Sequence, residues 1–195
     1  MPLLDQETTL STQISSIRQD LRDAVASRRM DVLIEIGLVV GAVLGMLGTL
    51  ISAQNIRAEA WTVDGVGLVV ATCLLALRFL RHGDDCVAAG FLIYALGEAI
   101  VSIGNAAGPA NSIPSFQAGT ALWSAGLMLT ATPRVLARVT RLASFVAAIL
   151  FAVVSVRIAW GEQILATSRP LPYFAYPFLV LTFAGWFWHI AKRHR

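Results

Sequence analysis

Charged residues are scarce in this chain of 195 residues, and lysine is nearly absent. Asp, Glu, Lys and Arg make up 14% of the sequence, against about 25% in an average soluble domain. Lys192 is the only lysine among 15 basic residues. A shortage of charge is typical of membrane proteins, because a charged side chain is costly to place inside a bilayer. The composition therefore argues against an ordinary soluble domain.

Cysteines and catalytic motifs are equally scarce. The two cysteines, Cys73 and Cys86, do not form a CxxC pair, so we expect neither a disulfide framework nor a cysteine metal site. The sequence contains no GxSxG, HExxH or GxxxxGK[ST] motif, which excludes the common hydrolase, metalloprotease and nucleotide-binding signatures. We predict that the protein is not an enzyme and that it holds no metal.

The sequence is rich in long apolar stretches. Each of them approaches the ~20 residues that a helix needs to cross the ~30 Å apolar layer of a bilayer. Helices satisfy all their backbone hydrogen bonds internally, as a lipid environment requires. We predict an all-α integral membrane protein with a bundle of six transmembrane helices in residues 31–195. The predicted spans are about 32–53, 63–80, 86–107, 113–132, 142–160 and 171–190.

Residues 1–30 have a different pattern, which predicts an amphipathic N-terminal helix before the bundle. This helix either lies on the membrane surface or on its own bundle, or it docks a partner through residues 8–28. Its apolar stripe covers only about two heptads, which is short for a coiled coil. The stripe consists of Leu10, Ile14, Ile17, Leu21 and Val25.

The basic residues predict an orientation. Three of the 15, Arg57, Arg157 and Arg169, lie on one side of the predicted membrane, and all the others lie on the opposite side. The more basic side of a membrane protein faces the cytoplasm. We therefore expect cytoplasmic N- and C-termini in a bacterial inner membrane. Nucleic-acid binding is not expected, because the basic residues lie at span ends rather than on one face of a soluble domain.

Glu98 is the most unusual residue, because it lies near the middle of the third span, where a carboxylate costs about 3 kcal/mol. Polar side chains accompany it at helical spacing on the third and fourth spans. If the two stripes face each other, they form an intramembrane polar seam in which Glu98 could couple a proton to a solute. The alternative is a structural role, in which Glu98 only holds helices together. The seam comprises Glu98, Tyr94, Ser102, Asn105, Gln117, Thr120 and Ser124.

Glycines on the first span predict a close helix contact. Gly37, Gly41 and Gly45 form a GxxxGxxxG ladder, and small residues on one face allow another helix backbone to approach. That helix belongs either to a second copy or partner subunit, or to the same chain.

Two histidines raise the question of a cofactor. His82 and His189 lie near the cytoplasmic ends of the second and sixth spans, and two imidazoles can ligate a haem. The basic residues next to them favour contacts with lipid head groups instead. We predict no cofactor.

Together these features favour a small polytopic membrane transporter or channel-like protein that works through the seam around Glu98. The alternative is a non-catalytic accessory or assembly subunit of a larger membrane complex. Such a subunit would form a homo-oligomer, or bind its partner, through the first span and residues 8–28.

Overall fold

The computed structural model describes residues 2–192, without the side chains of residues 2–12, 14–16, 20, 23, 24 and 109–111. This part of the chain folds into six α-helices and contains no β-strand. The helices are α1 (Pro2–Leu50), α2 (Gln54–Arg81), α3 (Asp85–Ala106), α4 (Pro109–Ala131), α5 (Arg138–Ala159) and α6 (Tyr176–Ala191).

The helices form a closed ring in chain order. Each helix packs on the helices that precede and follow it, and α6 closes the ring against α1. Short connections favour this order, because they leave consecutive helices antiparallel and adjacent. We name the two ends of the ring by their charge. The arginine-poor end contains connections 51–53, 107–108 and 160–175, and the arginine-rich end contains connections 82–84 and 132–137.

Four helices are long and apolar enough to cross a membrane, namely residues Val25–Leu50 of α1 together with α2, α3 and α5. Large apolar side chains cover their outer faces. Leu33, Leu96 and Ile149, for example, are 52%, 59% and 56% exposed. Soluble monomers rarely display apolar surface on this scale. The helices thus expose the apolar surface that the sequence predicts for a membrane protein. Four of the six predicted spans have the length and apolarity that a membrane crossing requires.

The other two helices fall short of those requirements in different ways. Helix α4 is 23 residues long, but it is less apolar than the four candidate spans. Helix α6 is apolar but has 16 residues, and it begins at Tyr176 rather than near residue 171. Pro170 and Pro172 lie just before it, and proline can donate no backbone hydrogen bond to a helix. Residues 171–175 therefore form turns, and Ala175 is buried against the bundle.

Helix α1 runs without a break through the predicted amphipathic segment and the first span. Residues 3–36 contain neither proline nor glycine, so nothing in the sequence interrupts the helix. Ile17, Leu21 and Val25 are 57%, 61% and 51% exposed, so these residues of the stripe do not pack on the bundle. Leu10 and Ile14 lie outside the described side chains.

The glycine ladder of α1 packs against α2. A Cβ atom at Gly37 would lie only 2.5 Å from the carbonyl oxygen of Gly67, so the two backbones are in direct contact. The other two ladder residues face side chains of α2, Leu68 at Gly41 and Asp64 at Gly45. The ladder face is therefore occupied by a helix of the same chain.

Gly37→Ala should destabilise the protein by about 1–3 kcal/mol, the usual cost of overpacking a tight contact. Alanine favours a helix over glycine by roughly 0.5–1 kcal/mol, so a loss of stability must come from the contact between α1 and α2. Thermal unfolding in mild detergent measures the effect. Val39→Ala, at a position 49% exposed on the same helix, is the control. A melting temperature of Gly37→Ala at or above that of the wild type would contradict the prediction.

Candidate functional site

A cavity of about 50 Å³ lies inside the helix ring, in the half nearer the arginine-poor end. Residues from α1, α2, α3, α4, α6 and the connection 160–175 line it. A ring of helices therefore converges on one small internal space. Its polar or partly polar lining side chains are Trp61, Asp64, Tyr94, Glu98, Asn105, Trp123 and Tyr176.

Two buried carboxyl groups face this cavity, Glu98 from α3 and Asp64 from α2. Their residues are 4% and 7% exposed, and the two groups lie close enough to interact electrostatically. Glycines leave room for both. A Cβ atom at Gly65 would lie 3.6 Å from Glu98 Oε1, and one at Gly45 would lie 3.0 Å from Asp64 Oδ2. A Cβ atom at Gly45 would therefore press on Asp64, whereas one at Gly65 would make ordinary contact with Glu98 and would clash with Ser102.

The register of α2 explains why Asp64 points inward. Asp64, Leu68, Ala71 and Leu75 are all buried and recur at intervals of three or four residues. Residues at this spacing share one face of a helix. Asp64 thus belongs to the core-facing stripe of α2 although its side chain is polar.

Neither of these two carboxyl groups has a basic partner in the cavity. Within the described part of the chain, the lining contains no Arg, Lys or His. A third buried acid, Asp31 of α1, has a basic partner. It is 2% exposed and forms an ion pair with Arg78 of α2. Buried charges are normally paired in this way. Asp64 and Glu98, in contrast, are both buried without a base in the described cavity lining.

Two polar atoms of the cavity lining, Asp64 Oδ1 and Tyr94 Oη, have no hydrogen-bond partner. The Trp123 indole N–H is directed at Glu98 and interacts with its carboxyl group. Buried polar atoms are nearly always bonded to protein or to ordered water. In contrast, the hydroxyl of Tyr176 donates to the carbonyl oxygen of Ala166 at 3.0 Å. Two unmet polar groups therefore face the same space.

A second cavity, of about 90 Å³, lies between the first one and the arginine-poor end. The two cavities share Trp61, Asn105 and Ala166 as lining residues. The Trp61 indole donates to the carbonyl oxygen of Gly45 at 3.3 Å, and the Arg57 guanidinium lies 5.6 Å from the centre of its ring. Trp61 therefore stands at the boundary between the outer cavity and the carboxyl pair.

Aromatic rings fill the ring of helices on the other side of the pair, towards the arginine-rich end. Tyr94 packs edge-on against Phe183 and Trp186 of α6, with ring centres 6.0 and 5.8 Å apart. Phe91 continues the cluster, 4.7 Å from Trp186 and 5.4 Å from Phe79 of α2. The carboxyl pair is thus approached by a cavity on one side and covered by packed aromatic rings on the other.

Residues of α3 in the predicted seam gather at this site. Tyr94, Glu98 and Asn105 line the cavity. Ser102 faces α2, where its Oγ occupies the space that a Cβ atom at Gly65 would need. Helix α2 therefore contributes to the surface opposite Glu98, as does Trp123 of α4.

Residues of α4 in the predicted seam lie elsewhere. The Thr120 hydroxyl donates to the Phe116 carbonyl oxygen of its own helix at 2.8 Å. The backbone carbonyl of Gln117 accepts a hydrogen bond from Ser155 of α5, and Ser124 is half-buried outside the cavity lining. Helix α4 contributes instead two aromatic residues, Phe116 and Trp123.

Asp64 lies outside the predicted polar seam. The predicted second span starts at residue 63, so Asp64 falls in the first turn of that span. Helix α2 starts at Gln54, so Asp64 lies about 15 Å along its axis. The signal that could have found it is its helical spacing with the apolar residues Leu68, Ala71 and Leu75.

The two histidines have local partners. His82 Nδ1 lies 2.7 Å from the carbonyl oxygen of Arg78. The ring of His189 stacks on Phe79, with ring centres 5.8 Å apart. Both contacts are at the arginine-rich end, on the far side of the aromatic cluster from the carboxyl pair.

Comparisons with protein-family models, with curated proteins and with solved structures find no match for this chain. Among the described residues, no group of three or more His, Cys, Asp and Glu side chains is placed to hold a metal ion.

The three buried acids should respond differently when they are replaced by amides. Asp31→Asn leaves the buried Arg78 without its counter-charge and should cost about 3–5 kcal/mol. Asp64→Asn and Glu98→Gln leave no base unpaired, so their melting temperatures in detergent should stay within a few degrees of the wild type. A loss at Glu98→Gln as large as that at Asp31→Asn would assign Glu98 a structural role.

Proposed function

We propose that this chain is a small multi-pass membrane transporter or channel-like protein whose working group is the Glu98 carboxyl. The observation that carries the proposal is the burial of Glu98 beside Asp64, with no base in the cavity lining and a space large enough for water next to them. Ionisable residues inside a membrane protein are costly, and they commonly mark ion pathways or proton relays. A carboxyl that gains and loses a proton there can couple proton movement to a solute.

The proposal includes six membrane crossings. Helices α4 and α6 then cross with the four long apolar helices. Helix α4 is flanked by α3 and α5, so part of its less apolar surface is shielded from lipid. Residues 171–175 of the connection complete the short α6 crossing. Ala175 is fully buried, and irregular backbone at membrane depth is tolerated where protein buries it.

The proposed orientation places the arginine-rich end in the cytoplasm of a bacterial cell, with both termini on that side. The positive-inside bias supports it. Arg57, which lies beside the outer cavity, then faces the external solution with Arg157 and Arg169. Arg157 donates two hydrogen bonds to Glu162 and thereby holds the pKa of that exposed carboxyl below its usual range.

Proton flux into proteoliposomes tests the function. A potassium diffusion potential set by valinomycin drives protons inward, and a dye in the lumen reports the pH. We expect wild-type protein to carry protons above the rate of protein-free liposomes, either alone or with one of a panel of small solutes. Glu98→Gln should reduce the flux to the protein-free level, because an amide cannot gain and lose a proton near neutral pH.

A matched control is Glu59→Gln. Glu59 lies on α2, like Asp64, but its side chain is exposed, so its replacement should leave the flux unchanged. Equal flux for Glu98→Gln and the wild type would reject the role of Glu98. Wild-type flux no higher than that of protein-free liposomes under every condition would reject transport.

A second candidate function is an accessory subunit of a membrane complex, and one specific observation favours it. Helix α1 extends beyond the candidate span Val25–Leu50, and its apolar residues Ile17 and Leu21 are 57% and 61% exposed. Exposed apolar residues at helical spacing are typical of a helix that docks in a groove of another protein.

Native mass spectrometry from mild detergent tests this alternative. If α1 docks a partner subunit, the full chain should carry a second copy or a stoichiometric partner. The double variant Ile17→Ser/Leu21→Ser should release it without changing the melting temperature. The full chain as a bare monomer would contradict the accessory role.

A further inference from the structure

The occupant of the inner cavity can be inferred from the polar atoms that face it. We infer that Asp64 and Glu98 bind at least one proton between them through a small cluster of water molecules, and that this centre exchanges protons with the arginine-poor end. The inference rests on the proposed transport function and deepens it by naming the ion, the second carboxyl and the side of access.

The charges around the cavity favour a bound proton. Two carboxylates that are both ionised would repel each other in an environment that also penalises each charge. No base lies in the described lining to balance them. One bound proton reduces the charge of the pair to a single negative charge, and a second one would neutralise the pair.

The unpartnered atoms favour water as the occupant. Asp64 Oδ1 can accept a hydrogen bond or share a proton, and Tyr94 Oη can both donate and accept. These two atoms have no partner, and their residues are 7% and 0% exposed. Water meets both needs, because it donates and accepts.

The volume agrees with a few water molecules. A buried water requires about 10–15 Å³ of cavity volume. A space of about 50 Å³ therefore holds roughly three or four water molecules. It is too small for a sugar or an amino acid. A water cluster of this size can connect two carboxyl groups by hydrogen bonds and pass a proton between them: the O–H bond of one carboxyl breaks as a new O–H bond forms on the other.

Access is asymmetric. The outer cavity leads from the arginine-poor end to Trp61 and Asn105, which border the inner cavity as well. The other titratable groups that face the pair are Tyr94 from α3 and Tyr176 from α6, while α1 and α4 present uncharged residues there. The aromatic cluster around Trp186 covers the opposite side. Protons should therefore reach the pair from the arginine-poor end.

Infrared spectroscopy of the full chain in lipid tests for the shared proton without requiring transport. At neutral pH we expect a carbonyl band of a protonated carboxyl that shifts in D₂O. The band should be lost in Asp64→Asn/Glu98→Gln, shifted in each single variant, and kept in Glu59→Gln. It should also persist when N-methylglucamine in the buffer is replaced by Na⁺.

Three results would overturn the inference: the absence of the band at neutral pH, its survival in the double variant, or its loss on addition of Na⁺, which would indicate a metal-cation site. The measurement is independent of the flux assay. A band without flux would reject the transport function and leave the proton-binding centre. Flux without the band would reject the shared proton and leave the transport function.

Thiol labelling tests the side of access. In a chain with Cys73→Ala and Cys86→Ala, Asn105→Cys should react with a membrane-impermeant maleimide added outside intact spheroplasts. Asp84→Cys, at the arginine-rich end, should react only after lysis and serves as the topology control. Labelling of Asn105→Cys only from the cytoplasmic side, or from neither side, would overturn the proposed route.

Discussion

The repulsion between two buried carboxyl groups is the constraint on which the centre of this structure depends. Asp64 and Glu98 come from neighbouring helices, and no base lies between them to balance their charge. Elsewhere in the same chain, Asp31 is balanced by Arg78, so the fold can neutralise a buried acid with an arginine. Leaving one pair unbalanced costs stability. Such a cost is typical of sites retained for function.

Glycine contacts bring neighbouring helices together, and aromatic side chains fill the centre of the ring. Gly37 against Gly67, and Gly97 against Gly119, bring the backbones of α1 and α2 and of α3 and α4 together. Close contacts of this kind supply packing energy where lipid offers no hydrophobic drive between helices. The wider space at the centre of the ring is filled by large rings such as Trp186. The cavity remains where glycine, carboxyl groups and Trp61 meet.

The sequence predicts element positions well where strong breakers flank an apolar stretch. The predicted third span, 86–107, differs by one residue at each end from α3, because Asp84 and the Gly108-Pro109 turn bound it. The start of α2 at Gln54 could not be read from hydropathy, because its first turns are polar although helical. Helical spacing identified the face of α3 that carries Glu98. Helical spacing cannot specify which neighbouring helix that face meets. The sequence predicts that it meets polar residues of the fourth span, whereas Asp64 of α2 shares the cavity with Glu98.

The uninterrupted course of α1 has a geometric consequence. At 1.5 Å per residue, its 49 residues extend about 74 Å, of which the stretch Val25–Leu50 takes about 39 Å. Roughly 35 Å of helix then extends beyond the candidate span, with Ile17 about 12 Å beyond Val25. A continuous helix keeps this segment in a fixed direction relative to the backbone contact between Gly37 and Gly67, and relative to the cavity-lining residues Gly41, Gly45 and Met46 of the same helix.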